Sequence, residues 1–360
     1  LPAAPAPSAG LEEARRWMAG AERPLAIAGL DVLAEPGAAA AVSAFCTRQG
    51  VPLITSYKAK GVLDEADPLA LGGAGLSPLA DGLLMPLIGR ADLVLCLGYD
   101  PVEMRAGWRH PWDPAVTRSI EIAHLRNDHG MHAAAIEITG GIAPALAALE
   151  ADQPARPRWP DGAPAATRAA LAAAFPRDEA WGPAAVIDTC RRMMPPETLA
   201  TADSGAHRIL LSQIWACPAP ATLFQSSGFC TMGCALPLAL GLKLAAPERP
   251  VIGFMGDAGF LMVAGELATA AERGLTPVLV VFADAELALI EMKQRSRGLP
   301  RQGVDFAAPD IAAIARGFGG AGETVTSRAE LESALGRAMT AETFTVISAV
   351  LPGGAYDGRI

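Results

Sequence analysis

Apolar residues fall in short, nearly unbroken runs along this chain, and each run ends on glycine, aspartate or another small or polar residue. In the first part the runs are PLAIAGL (24–30), VPLITS (51–56), ADLVLCLG (91–98), SIEIAHL (119–125) and AIEITGG (135–141). Runs this short and this continuous predict strands buried on both faces, as in a parallel sheet. Between the first two lies GAAAAVSAFCTRQG (37–50), a helical stretch that Gly50 closes in the C-cap manner. The theme restarts later with ETLATADSG (197–205), RPVIGFMGD (249–257), TPVLVVFAD (276–284) and TFTVISAVLP (343–352). Helical stretches at 235–246 and 264–274 lie between them. Strands alternating with helices predict an α/β protein with two doubly wound parallel-sheet domains.

Domain boundaries come from the breaks in this pattern. Residues 1–20 open on LPAAPAPSAG and read as linker-like; 21–151 form a central Rossmann-like domain. Residues 152–177 begin with DQPARPRWPDGAPAAT, four prolines without periodicity, and read as a second linker. Residues 178–360 form the last domain. The chain starts without Met, so the expectation is that something precedes it, either in a longer protein or as a separate polypeptide.

Composition narrows the partners. A formal charge of -9 with no basic stripe argues against nucleic acid. No apolar stretch spans a membrane uninterrupted. The six cysteines make no CxxC pair and sit mostly in apolar runs, as core residues of a reducing, cytoplasmic compartment would.

The candidate chemistry lies at strand ends, where open parallel sheets bind ligands. DSGAHR, GDAGF and ADAEL follow three strands of the last domain and would share one sheet edge. Between Asp257 and Asp284 lie 26 residues, enough for one loop, one helix and one strand. That spacing puts two carboxylates at adjacent strand ends, a fit for Mg2+ completed by phosphate and water. Gly256 and Gly259 would let the backbone turn tightly and approach a phosphate. Either acid taken singly also reads as the N-cap of the next helix.

GDAGF with the downstream FAD resembles the motif of thiamine diphosphate enzymes. SSGFCTMGCALPLALGLKLA and DSGAHRILLSQ resemble two further segments of the acetolactate synthase-like family. RPLAIAGLDV, VPLITSYKAKGVLDEADPLALGG and LVLCLGYDPVE are similar to its central domain, so the resemblance runs over roughly residues 15–355. It implies a Rossmann-like central domain followed by a thiamine diphosphate-binding fold. It also implies a lyase or transferase that decarboxylates a 2-oxo acid and passes what remains to a second carbonyl or a proton.

Carried onto this chain, Asp257, Asp284 and the main-chain carbonyl of Glu286 would hold Mg2+. Ser204, Gly205, Ala206 and His207 would contact the diphosphate, with the amides of Ala258 and Gly259 beside Gly256. Loop residues Glu286, Leu287, Ala288 and Leu289 would line the cofactor. Met232 would support its V conformation and the Cys230 carbonyl would accept from its amino group; alone, Met232 also reads as core filling. Ile290 and Met292 would wall the substrate side.

The chain departs from the family pattern in places. Ala283 stands where an asparagine is usual, Ser227 and Cys230 where glycines are, and AELA (285–288) where the family has a glycine-rich continuation. Asp284 in place of asparagine adds charge beside the diphosphate and tightens dependence on the metal.

The activating glutamate of the family lies on a pyrimidine-binding domain that these residues do not include. Glu266, inside a predicted helix, is no substitute. The resemblance therefore implies that this chain alone is inactive, and that it works as a homodimer or homotetramer with a pyrimidine-binding domain from the preceding part or a separate subunit. Two other functions stand beside this one. One is another thiamine diphosphate enzyme, a decarboxylase or a lyase of larger aromatic or acyl-CoA substrates. The other is a non-catalytic nucleotide-binding protein, against which LGGAGLSP (71–78) has the wrong spacing for GxGxxG. Nothing in the residues specifies FAD in the central domain, although some members of the family hold it there.

Overall fold

Twelve strands in two all-parallel sheets organise the computed structural model, which describes residues 4–109, 111–127, 129–150, 154, 157–226 and 228–360. The first sheet contains β1 (Pro24–Ala28), β2 (Leu53–Ser56), β3 (Ala70–Ala74), β4 (Leu93–Leu97), β5 (Arg118–Ala123) and β6 (Ile136–Thr139), in the order β3-β2-β1-β4-β5-β6. The second contains β7 (Leu199–Ala202), β8 (Leu223–Gln225), β9 (Val251–Gly256), β10 (Val278–Ala283), β11 (Ala321–Val325) and β12 (Thr345–Val350), in the order β11-β12-β10-β9-β7-β8. The chain divides into two compact units, Leu1–Ala174 with Ala216–Ala221, and Phe175–Trp215 with Thr222–Ile360.

Strand alternation explains why each sheet is covered on both faces. In the first unit Ala26, Ala28, Leu93, Leu95 and Leu97 join one buried cluster with Phe45 and Leu146 of two helices. Their neighbours Leu25, Ile27, Val94 and Cys96 join a second cluster with Leu84 and Ile88 of another helix. Side chains two apart along a strand face the same way, so a continuous apolar run feeds two cores at once. This is the α/β fold that the apolar runs predict. No helix among the described residues is long and apolar enough to cross a membrane.

Both linker-like segments need correction. Ala9–Gly20 is a helix whose N-cap Ser8 accepts from the Leu11 amide at 3.2 Å. Leu11, Ala14 and Met18 recur at helical spacing and are buried, a periodicity hidden behind the Pro/Ala-rich start. In the second segment residues 151–153, 155 and 156 lie outside the described residues, but Ala163–Ala174 is a helix. Pro164 sits in its first turn, where proline removes no hydrogen bond. Trp159 is buried too, its indole donating to the Pro24 carbonyl at 2.7 Å.

Three strands, β3, β8 and β11, went unpredicted. All are edge strands: ALGGA is glycine-rich, LFQ is three residues long, and AGETV is mostly half-exposed. Two glycines interrupt β3, and β8 and β11 bury less, so none carries a continuous apolar run to announce it.

Candidate functional site

The carboxyl ends of β7, β9 and β10 lie side by side, since β9 pairs with both of the others. Beyond them is a cavity of ≈ 150 Å³. Ser204, Gly205, Ala206 and His207 line it from the β7 side, and Gly256, Asp257, Ala258 and Gly259 from the end of β9. Asp284, Glu286, Leu287, Ala288, Leu289 and Ile290 line it from the loop after β10, and Met232 from a separate loop. Every site residue predicted from sequence except Cys230 and Met292 therefore meets at one place. Ser227 lies outside the described residues.

Asp257 does not act as an N-cap. It is the first residue of the helix Asp257–Val263, and its N-cap Gly256 makes no side-chain cap bond. Its Oδ1 accepts from the Ala258 amide at 2.8 Å, while Oδ2 accepts from the Ala285 amide at 2.8 Å. The carboxylate thus ties the helix start to the loop after β10 and fixes that loop near Asp284. Ala285 carries a φ of 56°, a left-handed conformation that costs a non-glycine residue about 1 kcal/mol. The Asp257 contact and the Ala285 carbonyl, which accepts from the Phe306 amide at 3.2 Å, hold it there.

Burial and the neighbouring Asp257 charge push the Asp284 carboxyl up to about 7. Burial also raises Asp257, against the lowering effect of its backbone amide partners. Two acids that resist ionising together form a site that wants a cation. Among the described residues, no Lys or Arg lines the cavity. No group of three His, Cys, Asp or Glu side chains among the described residues could hold a metal. The Glu286 side chain is otherwise engaged, its carboxylate accepting from the Gly354 amide at 3.0 Å and pairing with Arg301 at 2.6 Å. Only its main chain is left to serve as a ligand beside the two aspartates.

His207 is buried and stacks on Phe282 with ring centroids 5.3 Å apart. Burial, with the Arg208 charge, pushes its imidazole down to about 3. Its Nε2 finds no partner, which marks a polar atom waiting for a ligand in the cavity that the residue lines.

The glycines serve different ends from those expected. Gly256 is extended, with φ -80° and ψ 162°, so it makes no tight turn. Gly259 is helical and needed for space, because a Cβ there would lie 2.1 Å from Asp203 Oδ2. The Cys230 carbonyl, expected to face the ligand, accepts from the Ser204 hydroxyl instead, and Cys230 does not line the cavity.

Asp203 escaped sequence reasoning, as did Phe282 and Tyr356 in the cavity wall. Asp203 is fully buried and accepts from the amides of Ser204 (2.9 Å), Gly233 (2.8 Å) and Cys234 (3.1 Å). It fixes the loop that presents Met232. Its position in DSG at a strand end was the available signal. Tyr356 lies in the turns after β12, and nothing local in that segment announces a site.

A parallel sheet with two acids, a histidine whose Nε2 has no partner, and small residues at adjacent strand ends defines an α/β unit with its ligand cavity at the carboxyl edge of the sheet. Residues 203–349 match the thiamine pyrophosphate enzyme C-terminal TPP binding domain, and residues 11–149 the central domain of the same enzymes. The chain belongs to the thiamine pyrophosphate enzyme family. It is 32% identical over 323 residues to the "Probable 2-ketoarginine decarboxylase" of Pseudomonas aeruginosa, covering 87% of this chain and 55% of that one. It is 28% identical over 321 residues to the acetolactate synthase of Bacillus subtilis, covering 87% of this chain and 56% of that one. With an acetolactate synthase large subunit of Corynebacterium glutamicum it shares 26% over 349 residues, 91% of this chain and 54% of that one. The chain spans about half the length of these curated relatives.

Proposed function

We propose that this chain is the central and diphosphate-binding part of an acetolactate synthase-like enzyme that uses thiamine diphosphate and Mg2+ to decarboxylate or join 2-oxo acids. The observation that carries the reading is the pairing of Asp257 and Asp284 in a cavity without a lining cation. A diphosphate enters such a site only with a divalent metal to offset both sets of charge. Asp257, Asp284 and the Glu286 carbonyl would hold the metal. Ser204 to His207, with the backbone around Ala258 and Gly259, would receive the diphosphate. Met232, on the loop Asp203 fixes, would support the cofactor from below. When bound, thiamine diphosphate supplies the carbon centre that accepts electrons from the departing carboxylate. The residues of this chain bind, orient and exclude water. The activating glutamate would come from a pyrimidine-binding domain, in a homodimer or homotetramer, so this chain alone turns over no 2-oxo acid.

Calorimetric titration tests this. Thiamine diphosphate is expected to bind saturably with Mg2+ and weakly without it. Binding that persists unchanged in Asp257→Ala would sink the metal assignment. A decarboxylase that ends in protonation is the second reading, favoured by the 32% identity to a relative named for that activity. Product analysis of the complete enzyme, with pyruvate against a guanidino 2-oxo acid, separates the two.

A further inference from the structure

In the first unit the order β3-β2-β1-β4-β5-β6 places a topological switch point between β1 and β4. In sheets of this order a dinucleotide binds in the crevice beyond those two strand ends, with its pyrophosphate on the amides of the turn after the first strand. Here a side chain of the unit itself occupies the crevice. Glu103, in the turn Pro101–Glu103 after β4, is 7% exposed. Its Oε1 accepts from the Leu30 amide at 2.9 Å and from the Asp100 amide at 3.4 Å. Its Oε2 accepts from the hydroxyl of Ser56, the last residue of β2. Leu30 lies in the turn after β1, so a donor that a pyrophosphate would use is already engaged.

The walls are closed as well. A Cβ on Gly29 would lie 2.4 Å from the Gly98 carbonyl oxygen, 2.4 Å from Tyr99 Cα and 2.6 Å from Glu103 Oε1. Gly98, with φ +52°, would place a Cβ 2.8 Å from the Val32 amide nitrogen. Backbone meets backbone across the ends of β1 and β4, so neither glycine has room for even a methyl group there. Asp31 after β1 and Asp100 after β4 add two acids to the same turns, a rim that repels phosphate. Burial raises the Glu103 carboxyl above its ordinary range, while Ser56, the two amides and the Lys58 charge lower it.

We propose that Glu103 is an internal ligand: it fills the nucleotide crevice of the first unit, supplying the carboxylate for an anion site made by Ser56 and the amides of Leu30 and Asp100. The unit therefore takes no dinucleotide. Removing the side chain leaves a site for a small carboxylate such as acetate or formate, and still none for a nucleotide, because the Gly29–Gly98 contact persists. This inference does not depend on the cofactor reading of the second unit.

Thermal melts and calorimetry of the chain and two variants test it. The unaltered chain is expected to show no saturable heat and no Tm change with ADP, NAD+ or FAD. Glu103→Ala is expected to lower Tm by roughly 5 °C. Sodium acetate should restore about half of that loss saturably, whereas sodium chloride at equal ionic strength should not. Should Glu103→Ala give no cooperative melt, Glu103→Gln carries the test. Its amide oxygen keeps the acceptor, so it should melt within about 3 °C of the unaltered chain and ignore acetate. Stoichiometric binding of any of the three nucleotides to the unaltered chain or to either variant overturns the proposal. So does a Glu103→Ala deficit that acetate relieves no better than chloride.

Discussion

Replacing Asp284 by asparagine should make the empty chain more stable while weakening its response to metal. Asp284 faces Asp257 in a cavity with no lining cation, and burial and that neighbouring charge lift its carboxyl from 3.8 to about 7. A shift of that size corresponds to an upper bound of roughly 4 kcal/mol. Water in the open cavity screens part of it and leaves about 1–3 kcal/mol. The folded chain holds this proton more tightly than the unfolded chain does. Stability from this group is therefore full below about pH 4, falls as pH rises through 7, and levels off above. Asparagine removes the charge but keeps an oxygen for the Glu286 amide, which sits 3.4 Å from Asp284 Oδ1. Urea unfolding from pH 4 to 9 without metal should show the variant and the unaltered chain converging at the acid end. At the alkaline end the variant should lead by about 1–3 kcal/mol. Adding Mg2+ with thiamine diphosphate should raise the unaltered chain more than the variant, by an amount set by the difference in affinity. A variant that is less stable than the unaltered chain at pH 8, or that responds to Mg2+ as strongly as the unaltered chain, would refute the paired-acid argument.

Two glycines flanking the same acid should behave differently. Gly259→Ala places a methyl group 2.1 Å from Asp203 Oδ2, a carboxylate pinned by three amides, and should cost about 2–4 kcal/mol in urea unfolding. Gly256→Ala meets only the His207 ring at 3.7 Å and should change stability by less than about 1 kcal/mol; equal effects would contradict the geometry. His207, pushed down to about 3, should stay neutral from pH 5 to 9 and show no NMR titration near its ordinary value. His207→Phe keeps a ring against Phe282 but lacks Nε2, so it should weaken thiamine diphosphate roughly tenfold by calorimetry; an unchanged Kd would remove His207 from the site.

Much of this protein was legible along the chain, for a physical reason. Central strands buried on both faces must be apolar throughout, so β1, β4, β9 and β10 announce themselves, and the acids that end them stand out at once. Asp257 and Asp284 were legible as a pair because one helical crossover fixes how far apart adjacent strand ends lie in sequence. The helix at Ala9–Gly20 and the edge strands β3, β8 and β11 were not, since two glycines break β3 and a partly exposed element carries a weaker pattern than the residues around it. Only the tertiary structure decided what each group does. Asp257 bridges to Ala285 rather than capping its own helix, and Gly259 is small because Asp203 lies against it. Glu103 fills a crevice formed by residues 29–30, 56 and 98–100. These are contacts between segments far apart in sequence. Periodicity reports which face of an element is buried, whereas the partner on that face exists only once the chain has folded.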